Sequence, residues 1–277
     1  MEKFRDINKS GGEVQGVTSG FYAIDDVTRG WQKSDLILIA ARPAVGKTAL
    51  SMNFIVNAAL KKKKCAVFSL EMSKAQLVQR IICSVAGVDM SSALSGKLES
   101  GDWTKLFNAM NTLKDCEIYI DDSTLNTPNE ILSKCRKLKR EQGLDLVMID
   151  YLQLMQGSGR NESRQQEISD ISRSLKIMAK ELGVPVIALS QLSRASESRQ
   201  DKRHVRESLD CAQALQELVS MGVTNLITFD AHDPRVQNAI PLCGFENVRS
   251  SYQMIKSMLN TYGDIDIDPD KLMIISP

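Results

Sequence analysis

None of the six cysteines (Cys65, Cys83, Cys116, Cys135, Cys211 and Cys243) forms a CxxC pair with another. That spacing argues against a cysteine zinc site, and a disulfide framework does not suit a chain of 277 residues. Buried, reduced thiols are expected instead. Charge of one sign is also missing: 35 Lys and Arg stand against 34 Asp and Glu, for a formal net charge of +1. Composition alone therefore gives no hint of nucleic acid, and any DNA contact must come from locally clustered cations. The opening MEKFRDINKS is charged and has no apolar h-region, so no signal peptide is expected. No apolar run reaches membrane-spanning length. These absences together lead to the expectation of a cytoplasmic protein. Internal repeats are absent, and the only low-complexity tract is Lys61 to Lys64.

What is present is enough apolar sequence, 43% of the chain, to build one large α/β domain or two modest ones. Residues 1–19 are polar and glycine-containing, as in a linker. A regular alternation begins with LILIA at Leu36–Ala40, which enters a turn and then a helical stretch to Leu60. Lys61 to Lys64 close that helix, where cations suit the negative end of the helix dipole. CAVFSL (65–70) reads as a second strand, and Ser73 with Gln76 forms a capping box for a helix that stops near Gly87. A helix from about Asp102 to Leu113 and a strand Glu117–Ile120 follow. Thr127, Pro128 and Glu130 then give a cap, a proline at the first helical position and an acid at the third, and Gly143 ends that helix. LDLVMID is a buried strand, 156–163 a loop, and PVIALSQ another strand after a long helix ending at Leu182–Gly183. Apolar strands alternating with helices predict a mostly parallel sheet flanked by helices on both faces.

A charged stretch, SRASESRQDKRHVRES, interrupts this pattern. Beyond it the pattern restarts. A helix over 207–221, a strand NLITFD, a loop AHDPRVQ, a helix near 252–259 and a final strand KLMIIS are expected. The sequence stops at Pro277, directly after that strand, and this second segment reads as unfinished.

The strongest signal is Ala41, Arg42, Pro43, Ala44, Val45, Gly46, Lys47 and Thr48, followed by Ala49. It lies between a strand and a helix, the context of a P-loop. Backbone N–H groups there cradle phosphates at a helix N-terminus, Lys47 reaches the terminal phosphates, and the Thr48 hydroxyl coordinates Mg²⁺. Ala41 stands where the general pattern has glycine. Asp150, at the end of LDLVMID, is the expected second metal-side residue. Glu71, just after CAVFSL, is placed to deprotonate an attacking water, although a glutamate after a strand is commonly only a helix-terminus charge. Gln191 ends PVIALSQ and reads equally well as a γ-phosphate sensor or as a surface amide.

Four segments in order, GWQKSDLILIAARPAVGKTAL, VFSLEMSKAQLVQR, LDLVMIDYLQLM and VPVIALSQLSR, closely resemble the bacterial DnaB-type replicative DNA helicases. The resemblance covers about residues 11–203 and implies a RecA-like P-loop NTPase core over 20–203. It also implies ATP and Mg²⁺ as cofactors, single-stranded DNA as partner, and a hexameric ring that hydrolyses ATP between subunits. It gives Lys47, Glu71, Asp150 and Gln191 catalytic roles, with Glu71 as base and Gln191 as sensor, and Ala41 is the usual residue in that family. Arg160, Arg164, Arg173 and Lys176, with Lys180, are the DNA-contact candidates, and a solvated basic helix face is the alternative. The family's N-terminal domain, its later strands, its DNA-binding loop and its arginine finger are not found in the sequence. Impaired turnover is therefore expected.

From His204 the sequence resembles ribose-phosphate pyrophosphokinase, through RESLDCAQALQELVSMGVTNLITFDAHDPRVQNAIPLCGFENV. That likeness implies an incomplete phosphoribosyltransferase-like α/β segment over 204–277. In it, Asp230, Ala231 and His232 correspond to a turn whose histidine binds Mg-ATP. A locally hydrogen-bonded loop histidine is the plainer reading. The leading expectation is a helicase motor. The alternatives are a pyrophosphokinase fragment and a non-catalytic ATP-binding chimera.

Overall fold

The computed structural model describes residues 15–41, 45–123, 127–150, 152–155, 164–191, 219, 225–229, 240 and 243–248. The chain divides into two compact units, 1–223 and 224–277. The boundary expected at 203/204 lies outside the described residues.

Five strands of the first unit form one sheet: β1 (Leu36–Ala41), β2 (Cys65–Ser69), β3 (Ile118–Asp121), β4 (Leu146–Asp150) and β5 (Val186–Gln191). Their spatial order is β1-β5-β4-β2-β3, and every pairing is parallel. Parallel neighbours need crossovers, and helices supply them. These are α1 (Tyr22–Thr28), α2 (Lys47–Leu60), α3 (Lys74–Ala86), α4 (Met90–Ser95), α5 (Ser100–Leu113), α6 (Pro128–Glu141) and α7 (Arg164–Leu182).

Strand periodicity divides the core in two. Cys65, Val67, Leu146, Met148, Ile187 and Leu189 face one way and pack with Phe54, Ile55 and Ala58 of α2 and Leu77 and Ile81 of α3. The alternate residues Ala66, Phe68, Val147, Ile149, Val186 and Ala188 face the other way, against Ile131 and Cys135 of α6 and Ile171, Leu175 and Met178 of α7. Positions 171, 175, 178 and 182 repeat at helical spacing, so α7 buries a single stripe. Leu175 is fully buried there. Leu175→Ala is expected to cost about 2–5 kcal/mol, read as a lowered Tm in thermal unfolding.

The caps form as expected. Ser73 and Gln76 exchange hydrogen bonds in a capping box, as do Thr127 and Glu130 beside Pro128. Gly87 closes α3 in the left-handed region. Boundaries move slightly: β2 stops at Ser69, β3 is shifted to 118–121, and α5 starts at Ser100. Four elements were not anticipated, one of them a short 3-10 turn at Leu152–Leu154. The others are α1, α4 and a strand β7 (Gly244–Val248), which pairs in parallel with β6 (Asn225–Phe229) in the second unit.

Residues 15–31 make a collar on α2. Val17 bridges Trp31, and the Phe21 and Trp31 rings meet Phe54 edge-on at centroid distances of 5.5 and 5.6 Å. Asp25 is buried and accepts from Ser19 N at 2.8 Å and from the Thr18 hydroxyl. Gly20 sits at φ +78°, where an added Cβ would strike the Asn57 side chain, whose amide holds Ser19 O at 3.0 Å. Among the described residues, no helix is long and apolar enough to cross a membrane.

Candidate functional site

In a parallel sheet all the strand C-termini lie along one edge, and ligands of open α/β sheets bind there. The register makes that edge level: Ala41 pairs with Gln191, and Ser69 pairs with Asp150. The chain leaving β1 turns into α2 through Gly46, the N-cap, at φ +99°. An L-residue rarely adopts that angle, so glycine is required there. The helix then begins with Lys47 and Thr48, which places both at its N-terminus, where free N–H groups and the helix dipole attract anions.

Thr48 Oγ1 donates to Asp150 Oδ2 at 2.8 Å across 102 residues of sequence. Lys47 Nζ lies 3.9 Å from Asp150 Oδ1. Asp150 is 1% exposed, and its Oδ1 accepts no hydrogen bond among the described residues. A buried carboxylate oxygen without a donor normally carries a substantial penalty. Here it lies beside a hydroxyl and an ammonium. Burial drives both members of the pair toward neutrality. It holds the Asp150 carboxyl above the usual carboxylate range, against the Thr48 hydrogen bond and the Lys47 charge. It likewise lowers the Lys47 ammonium, against the pull of Asp150 and Glu71.

The oxygen donors of Thr48 and Asp150 suit a hard divalent cation such as Mg²⁺, and the orphaned Oδ1 is a ready ligand atom. The sign of the Asp150 shift yields a testable consequence. A carboxyl whose folded pKa is raised binds its proton more tightly in the folded state. Its contribution to stability is therefore lost as pH rises through the window from the ordinary carboxylate value of about 3.9 up to the raised one. Asp150→Asn is thus expected to raise the Tm of the nucleotide-free protein at neutral pH, because a neutral amide carries no desolvation cost of a charge. The same substitution is expected to abolish Mg²⁺-dependent nucleotide binding. Differential scanning fluorimetry with and without Mg-ATP reads both effects, and an unchanged or lower Tm would contradict this account of the buried charge.

Glu71 lies in the turn between β2 and α3 and is exposed. The turn is held by Ser69, whose hydroxyl donates to Met72 O at 2.7 Å and accepts from Met72 N at 3.1 Å. It is also held by Leu70 N, which donates to Asp150 O at 2.7 Å. Glu71 bears electrostatically on both Lys47 and Asp150. Gln191 is exposed at the end of β5.

Lys47, Thr48, Glu71, Asp150 and Gln191 thus come to one edge of the sheet, with Ala41, Val45, Gly46 and Ala49 beside them. Arg42, Pro43 and Ala44 lie outside the described residues, as do Arg160, His232 and Cys211. Arg164 opens α7 and Arg173 is exposed along it, whereas Lys176 donates to Ser34 O at 2.9 Å and is half-buried. Two residues were missed by sequence reasoning. Ser69 is a buried hydroxyl in an otherwise apolar strand, and that mismatch was the available signal. Arg80, exposed on α3, adds a small opposing pull to the burial that raises the Asp150 carboxyl, and nothing in its sequence context marks it.

Comparison with known proteins is consistent with this geometry. The chain is 53% identical over 203 residues to the replicative DNA helicase DnaB of Geobacillus stearothermophilus, covering 71% of this chain and 45% of that protein. It is 46% identical over 229 residues to the replicative DNA helicase DnaC of Bacillus subtilis (strain 168), covering 82% of this chain and 50% of that protein. The chain therefore spans about half the length of these relatives. Among solved structures it resembles a DnaB-like replicative helicase studied with primase, with a TM-score of 0.66, 41% identity, and coverage of 73% of this chain and 49% of that one. It also resembles a separately solved ATPase domain, with a TM-score of 0.68, 38% identity and 78% of each chain covered. The family match runs from residue 16 to residue 216, past the Arg203 at which likeness was expected to stop. On these grounds the chain belongs to the DnaB-like helicase C terminal domain family.

Proposed function

We propose that this chain is the ATP-hydrolysing motor of a replicative DNA helicase, which moves along single-stranded DNA and unwinds duplex. The observation that carries the reading is the Lys47–Thr48–Asp150 cluster at the N-terminus of α2, with one buried carboxylate oxygen unclaimed. In this reading the amides of residues 41–49 and the Lys47 ammonium hold the triphosphate of ATP. Thr48 and Asp150 hold Mg²⁺, which when bound supplies positive charge against the phosphates. Glu71 takes a proton from the attacking water, a role supported by its turn being tied to Ser69 and to Asp150 beside the metal-side cluster. Gln191, next to Ala41 across the sheet, reports the state of the terminal phosphate to the chain that follows β5. Arg160, Arg164, Arg173 and Lys176 are proposed DNA contacts.

The proposed assembly is a homo-oligomeric ring. Helix α5 supports this with an uncovered apolar face: Trp103, Phe107 and Met110 fall on one side and are 64%, 64% and 54% exposed. Monomeric proteins seldom leave such a stripe open. Replacing Trp103 and Phe107 together by alanine is expected to shift the protein to monomers, since anchors of this type contribute about 2 kcal/mol or more each. Mass photometry reads the change, and an unaltered mass distribution would remove this face from the assembly.

The decisive experiment is the ATPase rate with and without single-stranded DNA. DNA-stimulated ADP release carries the helicase reading, whereas ATP binding with negligible turnover favours a non-catalytic nucleotide-binding protein. The likeness to ribose-phosphate pyrophosphokinase was read over 204–277, but the family match takes in 204–216, so shared ancestry is proposed only for the sequence beyond it, with no pyrophosphokinase turnover expected. AMP formed only in the presence of ribose 5-phosphate would reverse the ranking.

A further inference from the structure

Strand β2 ends on a hydroxyl. Its residues Cys65, Ala66, Val67 and Phe68 are apolar and buried, and Ser69, 2% exposed, is the polar exception. A buried hydroxyl must find hydrogen-bond partners. Ser69 finds both on one residue: its Oγ donates to Met72 O at 2.7 Å and accepts from Met72 N at 3.1 Å. The bend over 69–72 is thus closed by a side chain, where a main-chain carbonyl commonly closes a four-residue turn. Glu71 stands exposed inside that ring of bonds, one residue before Met72.

The flanks of the bend are held by other means. Upstream, Leu70 N donates to Asp150 O at 2.7 Å, which joins the end of β2 to the end of β4. Downstream, Lys74 N donates to Asp122 Oδ2 at 2.9 Å, which joins the start of α3 to the residue after β3. Leu70 and Met72 pack against the cores on opposite faces of the sheet, so the main chain crosses the sheet edge between them. Neither flanking tie acts on residue 71 itself, whereas the Ser69 hydroxyl spans it. That hydroxyl has no second task open to it as a donor. Its one proton is given to Met72 O, which leaves none for a phosphate oxygen or a water.

We infer that Ser69 is a positioning residue for ATP hydrolysis, acting through the turn that carries Glu71 and touching neither nucleotide nor metal. The inference rests on the proposed role of Glu71 as general base. A general base must stand within hydrogen-bond reach of the proton it takes, and a misplacement of about 1 Å can cost on the order of 100-fold in rate. A methyl group in place of the hydroxyl removes both bonds to Met72 and frees the chain at 71–72 to take other conformations. The bond from Leu70 N to Asp150 O does not involve that hydroxyl, so the cluster of Lys47, Thr48 and Asp150 is expected to keep its geometry and its hold on Mg-ATP.

The test is a double-mutant cycle on the full chain, with S69A and E71Q made singly and together. Single-turnover ATP hydrolysis, Mg-ATP affinity and Tm are measured for each. S69A is expected to lower the hydrolysis rate about 10- to 100-fold while Mg-ATP affinity is retained. Adding S69A to E71Q is expected to change the rate by less than about twofold, because no base remains to be positioned. The full S69A effect persisting in the E71Q background overturns the inference, since Ser69 would then act through some other group. Loss of Mg-ATP affinity in parallel with rate overturns it too, by making Ser69 part of the binding site. A parental rate in S69A, with E71Q inactive, removes Ser69 alone. A parental rate in E71Q removes the base role of Glu71 and this inference with it. Should S69A fail to fold, S69C takes its place in the same cycle with the same expectations, because a thiol is close in shape to the hydroxyl and hydrogen-bonds only weakly.

Discussion

Replacing Lys47 with alanine is expected to lower ATP turnover about 100- to 1000-fold, the scale set by removing one positively charged group aimed at developing phosphate charge. Nucleotide affinity is expected to fall as well, because the same ammonium holds the ground-state triphosphate. The variant also leaves Asp150 buried without its counter-charge, only 1% exposed. Its Tm is therefore expected to drop at neutral pH and to recover toward acid pH, as the Asp150 carboxyl takes up its proton. Steady-state ADP release, fluorescent-nucleotide titration and thermal unfolding at two pH values check the three parts. Turnover within a few-fold of the parent chain would remove Lys47 from the reaction.

The second large effect separates binding from chemistry. Glu71→Gln is expected to reduce turnover about 10²- to 10⁴-fold, the usual worth of a positioned general base, while ATP affinity stays near that of the parent chain. The exposed side chain explains why the substitution should not disturb folding, and Ser69 and Asp150 hold the turn through bonds that do not involve the Glu71 carboxylate. Tight ATP binding with turnover abolished would match a base role. Loss of affinity in parallel with turnover would instead make Glu71 a member of the binding site.

Much of the first unit was readable because its local signals agree with its tertiary placement. The runs LILIA, CAVFS and LVMID are apolar on both faces, as parallel strands covered on two sides must be. Ser73 and Gln76, and Thr127 with Glu130, announce helix starts that the backbone then adopts. The misses have identifiable causes. Helix α1 has only 7 residues, no side-chain cap at Phe21, and a left-handed Arg29 at its end, so tertiary anchoring through Asp25 outweighs weak local preference. Helix α4 buries no residue and therefore has no apolar stripe to read. Strand β7, Gly244–Val248, lacks the unbroken apolar run that marked β2 and β4.

At the site, the sequence marks residue types at strand ends but not their encounter. That β5 lies between β1 and β4 was not legible, yet this order brings Gln191 beside Ala41. The burial of Asp150 and its unclaimed oxygen arise from packing against distant elements. The roles given to Glu71 and Gln191 came from family likeness, because a lone acid or amide after a strand is ambiguous. Arg80 bears on Asp150 only through its charge, from an exposed position on α3.

The bond from Leu70 N to Asp150 O joins two adjoining strands just where each carries its acidic group. Under the proposed function, this backbone link ties the turn that carries the general base to the strand end that carries the metal-side acid, so a change that breaks it is expected to disturb both groups together.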